Sequence, residues 1–141
     1  MSAIPETVVD SSVVVKWFFP EPSRPEALRV LDAYRDERIK LIAPVLLMAE
    51  VTNVLAKRVR RGLASASMAM EIYRLLKINS PRLVDDRTVM DEAMILALDS
   101  GQATYDCVYL ALALRRGCDF ITADRKFHIA VSSRFPSVLH L

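Results

Sequence analysis

Short β-branched runs alternate with longer stretches of helical spacing throughout this 141-residue chain. The runs at 7–9, 40–43, 82–84, 119–122 and 137–140 read as strands, because Val, Ile, Thr and Phe suit a pleated, half-buried backbone. Between them, apolar residues recur every three or four positions near 12–19, 23–36, 45–61, 65–78, 87–100, 104–116 and 124–132. That is the period of a helix with one buried face. The punctuation agrees: Pro44 stands where a first-turn proline belongs, and Gly62 and Gly117 stand where helices stop. The segments 45–61 and 65–78, joined by "GLAS", read as a helical hairpin. Strands alternating with helices in this way predict an α/β fold with three layers, α/β/α. Its centre is a parallel twisted sheet of about five strands, with helices on both faces. No repeat, linker or low-complexity tract interrupts the pattern, so residues 1–141 are expected to form a single domain with a substantial core.

In an open parallel sheet, ligands sit beyond the carboxyl ends of the strands, which makes the positions of the acids informative. In "TVVDSSVVVKWF", Asp10 ends the first strand. Asp124 follows "FIT", and Asp106 falls in the first turn of the apolar helix "QATYDCVYLALAL". Each also has a structural use. Asp10, Ser11 or Ser12 can cap the helix that begins there, and Asp124 or Thr122 can cap the last helix. Asp106 can complement the dipole of a helix capped by Thr104. Asp85 and Asp86, in "VDDRT", read as caps of the helix that follows them.

Glu50 is different. In "PVLLMAEVTNVLAKR", Leu46, Leu47 and Val54 surround it at helical spacing, so it lies in the middle of the apolar face, with Asn53 on its side. An inward carboxylate needs a cation, a donor network or a metal. A buried Arg or Lys would serve, yet no strand or helix interior obviously supplies one. If Asp10, Glu50, Asp106 and Asp124 converge, their repulsion calls for divalent cations. Oxygen ligands select Mg²⁺ or Mn²⁺ over zinc, and His128 and His140 lack the spacing of a zinc site. Hard divalent ions of this kind suit phosphodiester hydrolysis.

Composition narrows the class further. With 52% hydrophobic and 26% charged residues the chain is a folded globular protein. A net charge of +2 decides no partner. The cluster Lys57, Arg58, Arg60 and Arg61 can meet a phosphate backbone, or simply close a helix before Gly62. A positive mean hydropathy, +0.23, hints at apolar surface covered by a second copy. The N-terminus lacks a signal pattern, and "SVVVKWFFP" is too short to span a membrane. Cys107 and Cys118 read as thiols in a reducing compartment, so a cytoplasmic protein is expected. Three glycines supply neither a dinucleotide fingerprint nor a P-loop. A phosphoaspartate enzyme fits poorly too, because Ser12 stands where the phosphatase pattern needs a second acid.

Taken in order, "VVDSSVVVKW", "APVLLMAEVTNVLAKR", "ATYDCVYLALALRRG" and "FITADRKF" resemble the PIN domain family. Within it, they are similar to the compact ribonucleases that serve as VapC toxins of toxin–antitoxin pairs. The resemblance runs from the first strand to the last helix. It implies a Mg²⁺- or Mn²⁺-dependent ribonuclease in which a metal-activated water leaves a 5′-phosphate and a 3′-hydroxyl. Asp10, Glu50, Asp106 and Asp124 match the family's four acidic positions, and Ser11, Asn53 and Thr122 match polar positions beside them. Where some members carry a further acid one turn after Asp106, this chain has Leu110. The implied partners are an RNA substrate, a second copy in a homodimer, and a small cognate antitoxin that threads a basic residue toward the acids. The competing expectation is a catalytically inactive module of the same fold that binds RNA or protein.

Overall fold

The computed structural model describes residues 3–141. Among them, five strands form one parallel sheet: β1 (Glu6–Val9), β2 (Lys40–Pro44), β3 (Arg82–Val84), β4 (Asp119–Thr122) and β5 (Val138–His140). The helices are α1 (Ser11–Phe18), α2 (Arg24–Arg35), α3 (Leu46–Arg60), α4 (Ala66–Asn79), α5 (Met90–Ser100), α6 (Thr104–Arg116) and α7 (Arg125–Val131), with a 3₁₀ turn at Asp86–Val89. The strand order is β3-β2-β1-β4-β5. The chain steps outward from β1 to β3, then returns to the far side of β1 for β4 and β5. Right-handed crossovers therefore place α1–α4 on one face and α5–α7 on the other. This is the expected three-layer α/β/α architecture. The reversal of direction between β1 and β4 leaves a crevice at their carboxyl ends, where ligands of such sheets bind.

The central strands are buried on both faces, through Val8 and Val9 of β1 and Leu41, Ile42 and Ala43 of β2. That is why they read as continuous apolar runs rather than alternating ones. Helix α6 packs against α5 and lies over β1, β2 and β4. Every residue from Cys107 to Ala113 is buried, as a helix apolar on all sides must be. Its Tyr109 stacks on Phe120 of β4, with ring centroids 5.8 Å apart, and Phe127 of α7 meets Phe120 edge-on at 6.1 Å.

Three local expectations are corrected. Pro44 closes β2 and is not in a helical first turn, since α3 begins at Leu46. Thr104 does not cap α6: it is the first helical residue, and Ala103 holds the cap position without a side-chain bond. The "VDDRT" acids divide their work. Asp85 caps the 3₁₀ turn by accepting from the Arg87 N–H at 3.0 Å. Asp86 instead accepts from the Leu46 N–H at 3.1 and 3.3 Å, capping α3 from across the fold. Replacing Asp86 with Ala is expected to cost about 1 kcal/mol of stability, the usual value of a lost cap. Denaturant unfolding of Asp86→Ala beside the wild type checks it, and an unchanged midpoint would reject the cap. Because α3 carries Glu50, this cap also steadies the helix that reaches the crevice.

Candidate active site

Asp10 follows β1 directly. Its N–H donates to the Ile121 carbonyl at 3.0 Å, and its own carbonyl accepts from the Val13 and Val14 N–H groups, so its backbone starts α1. Its side chain makes no cap bond to α1 and turns toward β4 instead. Oδ2 accepts from the Ser12 hydroxyl at 2.7 Å and from the Thr122 hydroxyl at 2.8 Å. Those hydroxyls accept in turn from the Ala123 N–H (2.9 Å) and the Asp124 N–H (3.0 Å). Two backbone donors of the β4–α7 turn thus fix one carboxylate oxygen through two hydroxyls. Oδ1 receives only a long 3.4 Å contact from Ser11 and keeps its capacity to accept. Burial pushes the Asp10 carboxyl above the ordinary carboxylate range, although the Ser12 and Thr122 hydroxyls oppose the shift.

Asp124 caps α7, accepting from the Phe127 N–H at 3.0 Å through Oδ1. The cap engages one oxygen, and the exposed carboxylate also lines the cleft. Glu50 reaches the crevice from α3, half-buried, and accepts from the Tyr109 hydroxyl at 2.6 Å. The partner that the inward carboxylate required is thus a buried phenol, not an Arg or Lys. Burial and, to a lesser extent, the Asp10 charge push the Glu50 carboxyl up, while the Tyr109 bond pulls it down. The Tyr109 phenol is itself pushed up, by burial first and then by the neighbouring Glu50 and Asp10 charges. It remains a donor. Asp106, in the first turn of α6, is pushed up to about 7, by burial first and then by Asp10, Asp124 and Glu50.

The structure therefore gathers all four acids into one cleft of about 390 Å³, lined also by Ser11, Ser12, Lys16, Glu21 and Val54. A larger hollow of about 500 Å³, lined by Ile4, Tyr34, Arg35, Glu37 and Lys40 among others, has a single acid. Chemistry, not volume, distinguishes the candidate site. Among the described residues, no three Asp, Glu, His or Cys side chains form a ready-made metal cage. By donor type the four carboxylates fit a hard divalent cation, since every ligand they offer is oxygen. His128 and His140 contact each other, with ring centroids 5.5 Å apart, and do not line the cleft.

The polar neighbours fall differently from the sequence expectation. Thr122 touches Asp10 as expected. Ser11 lines the cleft, makes the long contact to Asp10 and helps to hold the Glu50 carboxyl down, while Ser12 makes the short bond to the Asp10 carboxylate. Asn53 is exposed on α3 and outside the cleft, where Val54 takes the lining position. Lys57, Arg60 and Arg61 are exposed at the end of α3. Arg58 is half-buried, bonded to Glu21 at 2.8 Å, with its guanidinium 3.8 Å from the centre of the Phe19 ring. Tyr109 carried no expectation, yet its signal was present: it lies three residues after Asp106, on the same side of α6.

The PIN domain family matches residues 7–131. Ribonuclease VapC3 from Pyrobaculum aerophilum is 30% identical over 139 residues, covering 94% of this chain and 96% of that protein. Among solved structures, PAE2754 from Pyrobaculum aerophilum aligns with a TM-score of 0.72 at 20% identity, covering 96% of this chain and 90% of the other. VapBC2 from Rickettsia felis, solved bound to a DNA fragment from their promoter, aligns with a TM-score of 0.61 at 11% identity. That match covers 96% of this chain and 97% of the other. At these identities the structural likeness shows the fold.

Proposed function

Because the chain belongs to the PIN domain family, we propose that it is a metal-dependent ribonuclease, the toxin of a type II toxin–antitoxin pair, that hydrolyses RNA phosphodiester bonds. The observation that carries this reading is the convergence of four carboxylates from four separate elements on the β1–β4 crevice. Two of them, Asp10 and Glu50, are buried or half-buried with no Lys or Arg bonded to them. A merely structural role would not gather unneutralised acids there, since each raises the cost of ionising its neighbours.

Asp10, Glu50, Asp106 and Asp124 would hold Mg²⁺ or Mn²⁺. Such an ion, when bound, neutralises charge developing on the phosphate and lowers the pKa of water. The chain's own residues prepare that site. Ser12 and Thr122 aim the Asp10 carboxylate by fixing Oδ2, the Tyr109 hydroxyl fixes Glu50, and the Phe127 N–H anchors Asp124. Ser11 and Ser12 have no histidine beside them in the cleft to make either a nucleophile. Exposed apolar residues on α4 (Met68, Met70, Ile78) and α5 (Met94, Ile95, Leu98) support partners of two kinds, a second copy and a cognate antitoxin. Two unpaired cysteines, Cys107 and Cys118, accord with a cytoplasmic site of action. No helix among the described residues is long and apolar enough to cross a membrane.

Purified protein, freed of any inhibitor, should cut mixed RNA in Mg²⁺ or Mn²⁺ but not in EDTA, and Glu50→Gln should not cut it. Wild type that leaves RNA intact with metal, or Glu50→Gln that cuts equally well, would leave the inactive binding module as the better reading. Tyr109→Phe is a finer check. It removes only the hydroxyl that holds Glu50, so the Mg²⁺ needed for half-maximal cleavage should rise about 10- to 100-fold, the usual effect of losing a ligand's supporting bond. A titration of cleavage against Mg²⁺ reads it, and an unchanged midpoint would show that Tyr109 only packs.

A further inference from the structure

Beside the acids, a second charged cluster begins on the cleft wall and runs on to α3, and the hydrolytic chemistry leaves it unused. Lys16, in the last turn of α1, and Glu21, between α1 and α2, both line the cleft. Glu21 accepts from two cations at once: Arg58 at 2.8 Å through Oε1 and Lys16 at 3.4 Å through Oε2. Each cation also has a second anchor. Lys16 donates to the Pro22 carbonyl at 2.7 Å, and the Arg58 guanidinium lies over the Phe19 ring. The three side chains remain 15%, 30% and 26% exposed for Lys16, Glu21 and Arg58. Along α3, Glu50, Val54 and Arg58 form one row at four-residue intervals, and Val54 lines the cleft between the two charges. Eight residues of helix put Arg58 about 12 Å beyond Glu50.

We propose that Lys16 and Arg58 bind an RNA backbone phosphate adjacent to the scissile one, and that Glu21 occupies that phosphate's place until RNA displaces it. This rests on the ribonuclease reading and deepens it. A carboxylate and a phosphate present the same anionic oxygens to a guanidinium, so one substitutes for the other. One carboxylate cannot neutralise two cations, so the cluster keeps a net positive charge beside four acids that would otherwise repel RNA. The Pro22 carbonyl and the Phe19 ring hold both cations in place without Glu21, which leaves them preorganised for a replacement anion. Glu50 and Arg58 start two turns apart on α3, about 12 Å along its axis, and the Arg58 guanidinium is turned to Glu21 and Phe19. The pair therefore takes a neighbouring phosphate and sets the path of the strand, without reading its sequence.

The test is binding without cleavage: fluorescence anisotropy of a labelled single-stranded oligoribonucleotide in EDTA, across a range of salt. Glu21→Gln should bind about threefold tighter, the scale of one exposed ion pair released. Lys16→Met and Arg58→Met should bind more weakly, each reducing the slope of log affinity against log salt by about 0.7. In the Lys16→Met/Arg58→Met background, adding Glu21→Gln should give no gain. Glu71→Gln, an exposed acid on α4, supplies the generic effect of removing one negative charge. If the cluster only staples the α1–α2 turn to α3, Glu21→Gln lowers the melting temperature and binds no tighter than Glu71→Gln, and the proposal is overturned. Should Glu21→Gln not fold, unchanged salt slopes in Lys16→Met and Arg58→Met overturn it equally. Wild type that cuts and binds RNA beside an indifferent Glu21→Gln rejects this inference alone. Wild type that neither binds nor cuts RNA rejects the ribonuclease reading with it.

Discussion

Replacing Asp10 with Asn is expected to reduce RNA cleavage about a thousandfold, ~4 kcal/mol of barrier, while raising the stability of the metal-free protein. The two effects have one cause. Asn has the shape of Asp, and its carbonyl can stand where Oδ2 accepts from Ser12 and Thr122. Its amide then replaces Oδ1, the oxygen with capacity left for a cation. The ligand is lost and the hydrogen-bond frame is kept. At neutral pH the folded chain also no longer holds a buried carboxylate whose ionisation burial disfavours. A residue present only to start α1 would give neither result, because Asn starts a helix as well as Asp does and the Asp10 side chain makes no cap bond. Cleavage assays and thermal melts of the same two preparations decide it. Activity within tenfold of wild type, or a lower melting temperature in EDTA at pH 8, would sink the assignment.

The second large effect is a reversal of the usual response to pH. The Asp10, Glu50 and Asp106 carboxyls are all pushed up in the fold, Asp106 to about 7 from an ordinary 3.8. Between about pH 4 and 7 the folded chain therefore keeps a proton at Asp106 that the unfolded chain has lost. Stability falls as pH rises wherever the native state binds more protons, so the metal-free protein should be more stable at pH 5 than at pH 8. Asp106 is only half-buried, and water screens part of its share. Divalent cations bind the ionised carboxylates of the fold, so their stabilisation should grow with pH. Melting curves in EDTA and in Mg²⁺ at pH 5 and pH 8 should show metal raising the transition strongly only at the higher pH. A metal-free transition that climbs from pH 5 to pH 8, with no response to Mg²⁺, would mean that the acids do not form a coupled cluster.

The element pattern was readable because each element declares its own period. Helix α6 starts and ends where its spacing predicts, and β4 occupies 119–122 as expected. The expected helix at 87–100 divides instead into a 3₁₀ turn and α5. Periodicity marks the buried face of such a segment but not the hydrogen-bonding pattern of its first turn. Caps were less legible, since Asp86 could be seen as a cap but not as the cap of α3, forty residues earlier in the chain.

The chain by itself determined the α/β alternation, the inward position of Glu50, and the placement of Asp10 and Asp124 at strand ends. All of these follow from local spacing, because β-branched runs and helical periods depend on neighbours in sequence. Only the tertiary structure decided what those carboxylates touch. It put the short bond to Asp10 on Ser12, gave Glu50 a phenol as its partner, left Asn53 in solvent, and drew Arg58 to Lys16 and Glu21 beside the cleft. Hydrogen-bond partners of this kind come from elements that the sheet order brings side by side. That order depends on how buried surfaces from the whole chain pack together, which no single stretch of sequence encodes.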